Sequence, residues 1–259
     1  MQSQHMIEVG EAILESVIYG VAGDIVVLLP GAGCNISYLE PFARVLAEAG
    51  FRAIAVNPRG VSKSTGPLEG LTLHHLAADI AGVIEAFAAA PAHLVGHALG
   101  NRIARCLAKD YPHLVRSVIL LAAGGLIAAA PEVLMAIQRL RHESLTEPEW
   151  LALLKVASLS PASDPHLMLQ VQPWPRQATA QLAANERTPL ADWWTGGTAP
   201  LLVVQGLDDR WAPPGNGRAL RTHVGDRMRL VEIPQAGHFL LLEQPQAVAD
   251  AVLTFLREH

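Results

Sequence analysis

Leu94-Val95-Gly96-His97-Ala98-Leu99-Gly100-Asn101 decides how this chain is read. A buried-type apolar strand, residues 92–95, ends at Gly96, and helical periodicity begins at Leu99 and runs to residue 109. The chain therefore passes from strand to helix through one tight turn. Glycine on both sides of the turn lets it pack against neighbouring backbone where a side chain would clash. Ala98, at the apex, takes a position that costs a residue with a Cβ roughly 1–2 kcal/mol at positive φ.

The same strand–helix rhythm extends outward. Ile25–Leu29 is a continuous apolar run, the pattern of a strand buried on both faces. A helix with Leu39, Phe42, Val45 and Leu46 on one face follows, stopped by Gly50. Strands are expected at 53–56 and 115–121, and a helix at 74–89. From about Leu126 to Thr198 the rhythm breaks into an irregular helical pattern punctuated by seven prolines, at 131, 148, 161, 165, 173, 175 and 189. It returns with a strand at 201–205, a helix at 216–223, a strand at 229–233 and a helix at 246–256. This alternation predicts an α/β fold, a mostly parallel sheet covered by helices on both faces. Residues 1–125 and 199–259 would form the core domain, and 126–198 a helical cap inserted in it.

Composition narrows the function classes. At 259 residues and 51% apolar, the chain can bury one large core. Its net charge of −5 carries no basic cluster, which argues against nucleic acid or an anionic membrane as partner. Two cysteines, Cys34 and Cys106, read as reduced, cytoplasmic usage rather than a disulfide framework. No signal peptide and no membrane span is read, since the apolar stretch 117–130 is short and broken by Gly124-Gly125. A small-molecule substrate is expected, with the chain a monomer or homodimer.

Two further segments follow strand ends, where open α/β sheets place their ligand sites. One is Gly206-Leu207-Asp208-Asp209-Arg210-Trp211-Ala212-Pro213, and the other Gly237-His238-Phe239. The order is elbow, acid, histidine. With these, the chain resembles the α/β-hydrolase family over almost its whole length. Leu29-Pro30-Gly31 resembles the His-Gly segment that begins the family's oxyanion loop, with proline for histidine. Asn57-Pro58-Arg59-Gly60-Val61-Ser62-Lys63-Ser64 resembles its Asp-x-x-Gly-x-Gly-x-Ser stretch.

The resemblance implies a serine at the elbow attacking a carbonyl, His238 taking its proton, and Asp209 fixing the imidazole. It also implies an oxyanion hole from the amides of Ala32 and Leu99. Asp208 is the competing acid; the Gly-x-x-Asp-x-x-x-Pro spacing favours Asp209. Ala98, however, has no nucleophilic atom, and loss of such a serine costs roughly a millionfold in kcat. Two explanations stay open: a serine deliberately replaced to keep a substrate intact, or an alanine that is native to the enzyme.

The remaining residues are weighed against blander roles. His97 reads as a packing or hydrogen-bonding residue, and His74-His75 as a surface pair at a helix start, not a metal site. Gly31-Ala32-Gly33 lacks a dinucleotide loop's third glycine, Ile36 holding its place, and Asn57 ends the next strand where an acid is needed. No cofactor and no metal is expected. Cys34 could act as a surrogate nucleophile, but small apolar packing is preferred, and Cys106 should be buried. Trp150, Trp174, Trp193, Trp194 and Trp211, with Leu134, Met135 and Met168, either fill the cap's core or wall a pocket for a substrate with an apolar or aromatic body. Arg59, Arg139, Arg141 and Arg176 are possible carboxylate partners, with surface charge the ordinary alternative.

Three functions follow. The first is a hydrolase of an ester, thioester, lactone or amide with its nucleophile replaced. The second is a serine-free enzyme using the His238–Asp209 dyad as general base. The third is a ligand-binding pseudoenzyme, against which the intact acid and histidine argue.

Overall fold

The computed structural model describes residues 2–259. A hairpin of β1 (Gln2–Val9) and β2 (Ala12–Tyr19) opens the chain, followed by β3 (Ile25–Leu29), α1 (Glu40–Glu48), β4 (Arg52–Val56) and α2 (Leu73–Ala86). β5 (Ala92–His97), α3 (Leu99–Asp110) and β6 (Val115–Leu121) complete the first half. After α4 (Pro131–His142), α5 (Glu147–Ala157) and α6 (Pro175–Glu186) come β7 (Leu201–Gly206), α7 (Gly215–Val224), β8 (Met228–Ile233), α8 (Leu240–Glu243) and α9 (Pro245–Leu256).

The strands form one eight-stranded sheet in the order β1-β2-β4-β3-β5-β6-β7-β8. β1 and β2 run antiparallel to their neighbours and every other pair is parallel. This is the mostly parallel α/β sheet that the alternation predicts, and it agrees with the fold that the resemblance implies. The central strands carry the apolar runs because both faces are covered. All six residues of β5 and of β7 are buried. One face packs α2 and α3 through Leu76, Ile80, Ile103 and Leu107, and the other packs α1 and α9 through Phe42, Leu46, Val252 and Phe255. Val45, placed on the inner face of its helix by the sequence reading, is instead 36% exposed; Ala43 takes the inner position. The hairpin was not read at all, since β1 is an edge strand with a polar, half-exposed pattern.

Helix starts follow local chemistry. Thr72 caps α2 in a reciprocal box with His75, and Thr146 caps α5 in one with Glu149. Between β6 and β7 the described chain is helical or irregular, with Cys34 and Pro173 forming an isolated bridge to the oxyanion-loop region. No helix among the described residues is long and apolar enough to cross a membrane.

β5 and β6 hold a buried polar pair that sets a pH limit on the fold. His93 lies opposite Ser117, its Nδ1 2.7 Å from Ser117 Oγ, and its Nε2 has no partner. Burial pushes the ring down to about 4, helped by the nearby Arg116 charge. Because the folded ring resists protonation, its contribution is complete above the unfolded value near 6.5. It is lost as pH falls from there toward 4. Urea titrations at pH 7 and pH 4.5 should show a loss from His93 of up to roughly 3 kcal/mol. His93→Val should be less acid-sensitive by that amount; equal acid sensitivity in both proteins would refute the assignment.

Candidate active site

Sheet register brings three loops together. Leu29 of β3 lies opposite Gly96 of β5, so the Pro30–Gly31 turn runs beside the elbow. Gly206 of β7 lies opposite Ile233 of β8, so the acid and histidine loops leave the sheet side by side. The two loops are then cross-tied, Leu207 N donating to Ile233 O and Asp208 N to Ala236 O, both at 2.9 Å.

At the elbow, Ala98 has φ 50° and ψ −108°. A Cβ on Gly100 would lie 2.4 Å from Leu29 O, and one on Gly96 2.4 Å from Asn101 N, so both flanking positions require glycine. Ala98 N donates to Leu121 O at 3.0 Å, and Asn101 Nδ2 donates to Ala122 O at 3.1 Å, which fixes the start of α3 on the end of β6. The Leu99 amide, first in its helix, has no intrahelical acceptor. Among the described residues the Ala32 amide has no acceptor either. Both residues border the same cavity.

His238 and Asp209 meet in a buried hydrogen-bonded pair, His238 Nδ1 lying 3.0 Å from Asp209 Oδ2 and 3.2 Å from Oδ1. Asp209 also accepts from Ala212 N at 2.7 Å and Gln205 Nε2 at 3.2 Å, which fix the carboxylate against the ring. With Nδ1–H committed to the carboxylate, Nε2 keeps its lone pair, and among the described residues it has no partner. Trp211 stacks on the imidazole at 4.7 Å and 19°. Asp208, one residue away, accepts from Ser160 Oγ at 2.6 Å and plays no part in the pair.

His97 underpins this arrangement. Its Nε2 donates to His238 O at 2.8 Å, leaving Nδ1 to accept from Tyr38 Oη at 2.8 Å. Tyr38 Oη in turn accepts from Gly31 N at 2.9 Å. The chain of bonds needs a neutral ring, and burial together with the neighbouring His238 holds His97 down at about 3. It links the oxyanion loop, the elbow and the histidine loop.

The cavity has a volume of about 280 Å³ and is bordered by Ala32, Cys34, Ala98, Leu99, Trp211 and His238 among others. Trp211 and Leu134 are the expected aromatic and apolar walls that reach it. The others do not, which corrects the sequence reading. Trp193 and Trp194 are buried under Arg105 at the end of the helical segment, and Trp150 packs toward the α1–α9 side of the core. Trp174 lies by Gly33, to whose carbonyl its amide donates at 2.7 Å. Met135 is 60% exposed, because α4 turns its neighbour Leu134 to the cavity instead.

Cys34 borders the cavity, but burial pushes its thiol up to about 12, so it offers almost no thiolate at neutral pH. Away from the cavity, His74 Nδ1 lies 2.6 Å from Asp110 and 3.4 Å from Cys106 Sγ. Burial and Asp110 push that thiol up as well, and the three side chains are linked by hydrogen bonds. His75 is occupied in the α2 cap. Of the arginines named from sequence, Arg59 is paired with Asp79 and Arg139 with Glu143, and Arg141 borders the cavity. Arg102, also at the cavity, was missed. Its signal was present in the spacing, four residues after Ala98 and so on the same helical face.

Residues 26–251 match the family described as “Alpha/beta hydrolase family”. The chain is 30% identical over 247 residues to a Mycobacterium tuberculosis protein with the provisional name non-heme bromoperoxidase BpoC, covering 90% of this chain and 94% of that one. It is 29% identical over 262 residues to 2-hydroxy-6-oxo-6-phenylhexa-2,4-dienoate hydrolase of Comamonas testosteroni, covering 91% and 88%. The BpoC crystal structure superposes with a TM-score of 0.81 at 26% identity over 98% of both chains. An esterase from Exiguobacterium antarcticum gives 0.82 at 20% identity over 97% and 98%, a likeness of fold alone.

Proposed function

The chain belongs to the alpha/beta hydrolase family, and from that premise we propose that it hydrolyses an ester, thioester, lactone or amide with His238 and Asp209 activating water directly. The observation that carries this reading is the His238–Asp209 pair, 3.0 Å apart and buried, bordering a cavity whose elbow residue has no nucleophilic atom. A histidine with a free Nε2, oriented by a carboxylate, is a general base in search of a proton. The Cys34 thiol is held protonated, so water is the available nucleophile.

In the proposed cycle, Nε2 takes a proton from water as its oxygen attacks the carbonyl carbon. Asp209 stabilises the imidazolium, and the amides of Ala32 and Leu99 receive the developing oxyanion. The imidazolium then returns the proton to the leaving group as the tetrahedral intermediate collapses. No acyl-enzyme forms at Ala98. Residues 126–198 act as a cap over this cavity, with Leu134 and Trp211 favouring a small substrate with an apolar or aromatic body. The hydrolase name of the Comamonas relative supports the reaction class.

A second reading, a serine hydrolase silenced at its nucleophile, is favoured by the positive φ that Ala98 keeps with no chemistry to show for it. One comparison separates the two: a panel of p-nitrophenyl acyl esters given to the chain and to Ala98→Ser. Steady turnover by the chain itself, without a burst, is the expected result. Turnover with a burst in Ala98→Ser alone would replace it with the second reading, and saturable binding with no turnover in either would make the protein a receptor.

A further inference from the structure

Two guanidinium groups reach the cavity beside His238 with no counter-charge. Arg102 stands on the first turn of α3, and Arg141 near the end of α4. Several arginines elsewhere have carboxylate partners, among them Arg44 with Glu40, Arg59 with Asp79, Arg218 with Glu232 and Arg229 with Glu258, and buried Arg105 donates to an amide oxygen and to backbone carbonyls. Among the described residues neither Arg102 nor Arg141 makes a hydrogen bond or ion pair. Their contacts are aromatic, Arg102 lying 5.2 Å from the Trp193 ring centroid and Arg141 5.3 Å from that of Trp211.

No aspartate or glutamate borders the cavity, and apart from His238, His97 and these two arginines its wall is apolar or small. Burial lowers the proton affinity of both groups, so each bears a desolvation cost that no carboxylate among the described residues offsets. A surface arginine needs no partner, because water solvates it. Two part-buried arginines lining an otherwise apolar cavity are recognition elements lacking an anion. We propose that the substrate carries a carboxylate held by Arg102 and Arg141, with its apolar body against Leu134 and Trp211. This specifies the substrate class for the hydrolysis proposed above and rests on that reading only for the reaction, not for the binding.

Arg102 also explains how such a substrate would be placed. It lies one helical turn beyond Ala98, so an anion on it sits one turn from the point of attack. Arg141 belongs to the segment between β6 and β7, so that segment and the core each present a guanidinium side chain to the same cavity.

Calorimetric titration of the full chain with 4-phenylbutyrate and with its neutral isostere 4-phenylbutanamide tests the proposal without turnover. The carboxylate should bind at least about tenfold more tightly, the scale of one charge-assisted hydrogen bond. Arg102→Gln and Arg141→Gln should each bring that ratio toward one while leaving amide binding unchanged. Equal binding of acid and amide by the unsubstituted chain would overturn the proposal, as would a ratio that survives both substitutions. A matched pair of esters, mono-p-nitrophenyl glutarate and p-nitrophenyl valerate, separates the two readings. Inertness toward both, with the calorimetric preference intact, removes the hydrolysis and keeps the anion site; hydrolysis of both with equal kcat/KM removes the anion site and keeps the hydrolysis.

Discussion

His238→Ala should lower kcat for an activated acyl ester by about 10²–10⁴, the usual worth of a positioned general base, with KM little changed. The argument is geometric. Nδ1 is fixed on Asp209, His97 holds the His238 carbonyl, and Trp211 stacks on the ring, so one imidazole nitrogen remains to do chemistry. Asp209→Asn should cost a similar factor, up to about 10⁴. An amide Nδ2–H facing Nδ1 would move the ring proton to Nε2, where it cannot accept one from water. Steady-state kinetics of the two variants against the parent chain decide the matter. If both keep the parent rate, the turnover arises elsewhere and the dyad is structural.

Arg105→Ala should be the most damaging substitution for stability, at about 3–5 kcal/mol. Arg105 has no exposed surface and no carboxylate partner. Its Nη2 donates to Asn101 Oδ1 at 2.8 Å and to Gly124 O at 2.9 Å, and its Nη1 to Trp194 O at 3.2 Å. The guanidinium also lies 4.5 Å from the Trp193 ring centroid and 5.4 Å from that of Trp194. Truncation leaves three buried acceptors unpaired and opens a cavity beneath two tryptophans, two costs that add. At about 2–4 °C per kcal/mol, melting should fall by roughly 6–20 °C. Arg105→Met, which refills the volume without the donors, should lose less than alanine. A melting curve for Arg105→Ala that overlays the parent would mean that the cluster contributes nothing to holding residues 193–194 on α3.

Much of this molecule was legible from local pattern. The strand at 92–95, the turn and the helix after it declare themselves because a doubly covered strand must be apolar throughout and a tight turn must have glycine at close approaches. The acid–histidine pairing was readable for a related reason. Register between parallel neighbours delivers whatever follows Gly206 and Ile233 to the same sheet edge, so spacing from the strand end carries three-dimensional information. The preference for Asp209 over Asp208 comes from the motif spacing of the family that the chain resembles, and the two side chains do part company, one to His238 and one to Ser160.

The pocket wall was not legible in that way. Residue type shows that a tryptophan will be covered but not by what, and five tryptophans in and beside one irregular segment offered no periodicity to sort them. Tertiary packing sent Trp193 and Trp194 to Arg105 and Trp150 to the far side of the core, and left Trp211 at the imidazole. The edge hairpin escaped notice because a strand half open to water need not be apolar. Charge pairing was decided in the same manner. Arginines alike in sequence become an ion pair at Arg59 and an unpartnered cation at Arg102 according to which carboxylates the fold brings within reach. Sequence alone determined the parallel strands of the sheet and the elbow, because those depend on short-range periodicity and backbone sterics, and the family resemblance supplied the roles of the groups that follow them. Only the tertiary structure decided which side chains share the cavity and which charges go unpaired, because both depend on distances between residues far apart in the chain.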